Sequence, residues 1–115
     1  MMDEFIESIL HPSFFVGILF MLIGIVMYFL PPKKPNMFYG YRTPASMKSQ
    51  ERWTFSQRFS AVKMAQAGAV LFVISLCGYF IDADSRNAIG VLMLFICIAY
   101  LFITTERAIK NQFKN

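Results

Sequence analysis

The chain has 115 residues, enough for one domain, and 57% of them are hydrophobic, including 13 Phe and 8 Met. Only 16% are charged, the formal net charge is +4, and the mean hydropathy is +0.50. That apolar share is well above the usual range for a water-soluble domain.

Three runs contain no Asp, Glu, Lys or Arg: residues 14–30, 64–81 and 87–105. At about 1.5 Å per residue each covers roughly 26–29 Å, close to a hydrocarbon core of about 30 Å. Three such helices leave too little polar chain to cover them in water. The sequence therefore predicts an all-α integral membrane fold with three transmembrane helices in a single domain, residues 1–115.

Before the first run, Phe5, Ile6, Ile9 and Leu10 form a short apolar stripe ahead of His11-Pro12, read as an interfacial helix on the outer leaflet. This start carries Asp3, Glu4 and Glu7 and no Lys or Arg, and Pro31-Pro32-Lys33-Lys34 follows the run in place of a small-residue cleavage site. The first run is accordingly a retained helix and not a secretory signal. Pro31, Pro32 and Pro35 stop it.

The loop at residues 31–63 holds Lys33, Lys34, Arg42, Lys48, Arg52, Arg58 and Lys63 against Glu51 alone. Arg107, Lys110 and Lys114 follow the third run, whereas the 82–86 hairpin holds only Arg86. The positive-inside rule then places the N-terminus outside, the long loop in the cytoplasm, the hairpin outside and the C-terminus in the cytoplasm, in the plasma membrane. Within the loop, Thr43-Pro44 and Ser49 are helix-start signals. From about Gln50, Phe55, Phe59 and Val62 recur at helical spacing among basic residues, which predicts an interfacial helix running on into the second span.

The polar 82–87 connection predicts a tight turn between antiparallel second and third helices. Ala65 with Ala69, Gly68 and Gly78, and Gly17 with Gly24 provide small-residue grooves for close helix approach, and a homodimer is expected from them.

Chemistry is scarce. The runs carry no ionisable group beyond cysteines and tyrosines, so a transporter or channel formed by one copy is not expected. Cys77 and Cys97 sit at different depths from the hairpin and read as packing residues, and no metal site or cofactor is indicated. His11 is the sole histidine, so no Ser-His-Asp or Cys-His arrangement can form around the loop, and the chain reads as no enzyme. The bilayer's anionic lipids account for the basic loop, and no nucleic-acid partner is expected.

Composition does not explain the stretch from Pro35 to Lys48. Asn36 and Gly40 are turn residues, and Tyr39 and Tyr41 suit an interface. Arg42 offers a planar fork for a carboxylate or phosphate, with the hydroxyls of Thr43 and Ser46 beside it. With Lys48, Glu51 and Trp53 these residues form either a headgroup anchor or a shaped recognition loop for a peptide, a partner protein or a phosphate.

The string Asn36, Gly40-Tyr41-Arg42-Thr43, Ser46, Lys48 and Trp53, followed by two hydrophobic runs, resembles the SdpI/YfhL family of bacterial membrane proteins. Ser49, Ser56, Gln57 and Ala61 stand where the family pattern leads one to expect Asn, Ala, Asn and Gly. The resemblance implies a three-helix membrane domain and immunity to a secreted, membrane-active toxic peptide of the SDP type. It also implies, for the namesake type, signalling by holding a cytosolic autorepressor at the membrane. The partners expected are the lipid bilayer and either a toxic peptide or a cytosolic regulator. A small lipid-handling protein is the remaining alternative.

Overall fold

The structure is a computed structural model, and it describes residues 2–9, 12–36 and 38–113. Leu10, His11, Met37 and Lys114 lie outside it, as do the side chains of Phe5 and Ile9, so only part of the N-terminal stripe can be followed. Four α-helices and one 3-10 turn make up the regular structure of the described residues: α1 (Met2–Ile9), α2 (Pro12–Phe29), α3 (Gln50–Leu76), the 3-10 turn (Cys77–Phe80) and α4 (Ala83–Gln112).

Each boundary has a local cause. Pro12 opens α2 at the position where its missing N–H costs nothing, and Pro31-Pro32 follow its end. Ser49 caps α3, its hydroxyl accepting the Arg52 N–H at 3.1 Å. The other helix start suggested by the sequence, Thr43-Pro44, yields a single turn closed by Met47 N–H on Thr43 O at 3.1 Å. The amphipathic segment from Gln50 is no separate element; it is the start of α3, continuous with the second apolar run.

The outer connection is shorter than the polar stretch suggested. Asp82 is the N-cap of α4 and accepts the Ser85 N–H at 3.1 Å, so Asp84 and Arg86 belong to the first helical turn. Bonds from Ser85 hold the Asp82 carboxyl below its ordinary range. Arg86 donates to Gly78 O and Ile81 O, closing the carbonyls left open where α3 ends.

The molecule is a rod of 56 × 23 × 20 Å. α2 and α3 pack along their length through small residues. A Cβ placed on Gly17 would lie 2.7 Å from Phe72 N and 2.8 Å from Gly68 O, and one on Gly24 would lie 2.7 Å from Ala61 O. The reciprocal Cβ on Gly68 would reach Gly17 O at 2.6 Å. Gly17 and Gly24 of α2 therefore pack directly on the backbone of α3 at Gly68, Ala61 and Ala65. Ala65 lies in this seam, while its supposed mate Ala69 is exposed. Phe20, Ala67, Leu71 and Cys97 form the buried cluster that brings in α4; Cys77 and Cys97 are free thiols.

α3 and α4 are long and apolar enough to cross a membrane, whereas α2 is a shorter apolar helix. Only 33% of the most apolar stretch of α3 and 17% of that of α4 is buried within the chain. Leu92, Phe95 and Ile103 of α4 and Phe15, Leu19 and Leu22 of α2 are all exposed, which suits a hydrocarbon solvent far better than water.

Because backbone atoms form the far side of the seam, enlargement there has no room to relax. Gly24→Val is expected to lower stability in mixed-micelle unfolding by about 2–3 kcal/mol, and Ala69→Leu by less than about 0.5 kcal/mol. Equal stability of the two variants would contradict the seam.

Candidate functional site

The loop that precedes α3 is irregular yet closely bonded. Asn36 Oδ1 accepts the N–H groups of Phe38 (2.9 Å) and Tyr39 (2.8 Å), and its amide donates to Lys34 O at 3.0 Å. Tyr39 then reaches back, its hydroxyl donating to Leu30 O at 2.9 Å at the end of α2. Gly40 has φ +104, and a Cβ there would collide with the Gln57 amide and with Pro32. Only glycine satisfies both conditions.

Two residues one turn apart on α3 hold this loop from both sides. Trp53 is fully buried and donates its indole N–H to Pro32 O at 2.7 Å. Gln57, four residues on and on the same face, accepts the Tyr41 N–H through Oε1 and donates to Tyr41 O through Nε2, both at 2.7 Å. One side-chain amide thus satisfies both backbone polar groups of Tyr41, one from each of the peptide units that flank its Cα. Ser56 and Ser60 back this face, each returning its hydroxyl to the α3 backbone.

The far end of the loop is tied to α4. The hydroxyls of Tyr41 and Thr43 both donate to Glu106 Oε1, at 2.6 and 2.5 Å. Thr43 and Ser46 exchange bonds: Thr43 N–H donates to Ser46 Oγ at 2.8 Å and Ser46 N–H to Thr43 Oγ1 at 3.2 Å. The Ser46 hydroxyl faces the carbonyls of Thr43 and Tyr41 at 2.9 and 3.3 Å. The Tyr41 ring packs on Phe102 with centroids 5.4 Å apart. Burial, and then the hydrogen bond and charge of Glu106, push the Tyr41 phenol far above its ordinary value of 10, with Thr43 opposing weakly.

The residues picked out in the sequence divide into two sets. Asn36, Gly40, Tyr41, Thr43, Ser46 and Trp53 meet in the loop's hydrogen-bonded frame, with Tyr39 at its edge. Arg42, Lys48 and Glu51 are exposed outside it. Gln57 and Glu106, which are not among the residues picked out in the sequence, supply the side-chain bonds that hold Tyr41 and Thr43.

Around the frame, cations lie on aromatic rings: Arg58 over Tyr28 at 5.1 Å, Lys63 over Phe59 at 5.5 Å, and Arg52 over Phe113 at 5.5 Å. Lys48, Arg52, Arg107 and Lys110 line a cleft of about 960 Å³ between the loop and the ends of α3 and α4. Among the described residues no three His, Cys, Asp or Glu side chains gather as metal ligands. What the arrangement offers chemically is hydrogen-bond donors and positive charge on a fixed frame.

An apolar helical protein with such a loop at one end is a membrane-type architecture, and comparison with known proteins gives its class. The model of the SdpI/YfhL protein family matches residues 33–105, which takes in the loop from Lys33 on, all of α3 and most of α4. The chain is also 33% identical over 91 residues to the uncharacterized protein YfhL of Bacillus subtilis (strain 168), covering 79% of this chain and 80% of that protein. The chain therefore belongs to the SdpI/YfhL family. No solved structure gave a significant match.

Removing the Glu106 acceptor strands two hydroxyls. Glu106→Ala is expected to cost about 1–3 kcal/mol in micelle unfolding, and Tyr41→Phe in that background much less than in the wild type. Since the folded state holds the Tyr41 proton more tightly than the unfolded chain, its contribution is complete below pH 10 and declines above it. The wild type should lose stability above pH 10 faster than Tyr41→Phe does; parallel curves would contradict the Tyr41–Glu106 bond.

Proposed function

We propose that the chain crosses the membrane three times, at about residues 14–30, 64–81 and 87–105. The N-terminus and the Asp82 turn lie outside, and the loop and C-terminus lie on the cytoplasmic side. α1, which packs on the 3-10 turn, would then rest at the outer interface. The excess of Lys and Arg in residues 31–63 over the Asp82–Arg86 segment supports this orientation. Reporter fusions at Ser49 and Ser85 test it: activity of an external reporter at Ser49 would reverse the assignment.

On this arrangement the protein is a non-enzymatic immunity protein that shields a bacterial cell from a secreted, membrane-active toxic peptide. Family membership motivates the reading, since the family is known for immunity of this type. The observation that carries it to particular residues is the exposed Arg42 guanidinium beside a frame fixed by Trp53, Gln57 and Glu106. A fixed frame lets Arg42 meet a carboxylate or phosphate with little further ordering cost. The helices engage the peptide in or near the bilayer, and the loop sets the shape of the cytoplasmic end.

The test is depolarisation of sensitive cells by an SDP-type peptide, with and without the protein. Wild type is expected to protect, and Arg42→Ala, which touches no bond of the frame, to reduce protection several-fold at equal expression. Full protection by Arg42→Ala would remove the loop from the mechanism, and no protection by wild type would remove the immunity reading.

A second reading is favoured by the cleft of Lys48, Arg52, Arg107 and Lys110. Four cations beside one carboxylate that is already bonded suit an acidic patch on a soluble regulator recruited to the inner face. A salt-sensitive partner captured from the cytoplasmic side, and lost on Lys48→Gln/Lys110→Gln, would support this scaffold role over shielding alone.

A further inference from the structure

On the other side of the loop, a groove of about 880 Å³ lies between the end of α2 and the first half of α3. Its floor is apolar, with Phe55 and Phe59 stacked at 5.7 Å and Val62 a turn further on. Its rim is cationic: Lys33, Arg58 and Lys63 line it, and among the described residues no carboxylate does. Arg58 and Lys63 are already placed over Tyr28 and Phe59, which limits the rotamer freedom either would lose on meeting a ligand.

The depth of the groove selects among occupants. The charge-free run of α2 ends at Leu30 and that of α3 begins at Met64. The groove spans the point where both helices pass from hydrocarbon to headgroups. Tyr28 and Val62 are exposed there and continue the lipid-facing surface into it. From the bilayer the groove presents Lys63 and Val62 first, then Phe59 and Arg58, with Phe55 farthest out, so its apolar floor and its cations run side by side.

We propose that this groove is a binding site for an anionic phospholipid. An acyl chain lies along Phe55, Phe59 and Val62, and the headgroup phosphate sits among Lys33, Arg58 and Lys63. A zwitterionic lipid would bring a cation of its own into a site whose described residues include no acid to receive it. The inference rests on the membrane arrangement proposed above and is independent of peptide immunity.

The chain's single tryptophan is a built-in reporter. Trp53 is bonded to Pro32, and Pro32 lines the groove. The full chain is reconstituted in phosphatidylcholine bilayers containing increasing fractions of either bromine-labelled phosphatidylglycerol or bromine-labelled phosphatidylcholine, and Trp53 quenching is followed. Phosphatidylglycerol is expected to quench at a several-fold lower fraction, since each cation near a lipid phosphate contributes roughly fivefold. Lys63→Gln and Arg58→Gln should each remove about that factor, while Lys48→Gln/Lys110→Gln, which takes charge from the neighbouring cleft, should leave the preference intact. Should Lys63→Gln shift the Trp53 emission and so disturb the loop, Lys33→Gln on the opposite wall reads the same site.

Equal quenching by both lipids, or equal loss with the cleft variants, would overturn the proposal in favour of diffuse attraction to the surface. Reversal of the preference by inorganic phosphate would overturn it in favour of a soluble phosphate. Quenching by phosphatidylcholine itself reports insertion, so a failed anion preference is distinguishable from a failed membrane arrangement.

Discussion

Gln57 holds both the N–H and the C=O of Tyr41, and Trp53 one turn earlier holds the carbonyl of Pro32. An irregular loop against a membrane protein's helices faces a severe constraint, because buried N–H and C=O groups cannot be left without partners. Here two side chains spaced i, i+4 on α3 meet that constraint for both arms of the loop at once. With the backbone of Tyr41 fixed, its phenol and the Thr43 hydroxyl can reach Glu106, and α4 is joined to the same frame. The position of Arg42 beside the frame, the groove under Lys33 and the cleft by Lys110 all depend on that hold.

The polar frame matters more because the apolar contacts are modest. In lipid there is no hydrophobic drive between helices, so association rests on close packing and on hydrogen bonds. α2 and α3 have the first, through Gly17, Gly24 and Gly68 against opposing backbone. α4 has less of it: most of its apolar surface is exposed, and Cys97 is its one apolar residue in the buried cluster of the midsection. Glu106 therefore does for α4 at the polar end what small residues do for α2 along the seam.

Much of the fold could be read from the chain because its causes are local. Charge-free runs and flanking prolines gave α2, and Ser49 gave the start of α3 through an ordinary cap. The seam was visible as small residues, though not their pairing: Gly68 meets Gly17, and Ala69 is turned out, because the helix crossing decides which small residues meet. The outer turn was overdrawn because Asp84 and Arg86 look like loop residues but suit the first turn of a helix capped by Asp82. In the loop, turn chemistry identified Asn36 and Gly40. Glu106 left no trace, since its partners lie 63 and 65 residues away and a lone acid after a hydrophobic run resembles any helix end. Gln57 stands where the family pattern has Asn, and its extra methylene is part of the side chain that closes on Tyr41. Ser56 and Ala61, two more departures, are both buried, Ser56 bonding Trp53 O and Ala61 meeting Gly24.

The most direct measurement is amide hydrogen exchange of residues 38–47 in bilayer discs, compared between the wild type and Gln57→Ala. In the wild type the Tyr41 N–H, bonded to Gln57, and the Met47 N–H, bonded to Thr43 O, should exchange far more slowly than an open peptide. Gln57→Ala should release Tyr41 and its neighbours while leaving the middle of α3 protected. Rapid exchange throughout the wild-type loop, or a loop unchanged by loss of Gln57, would contradict a frame held from α3.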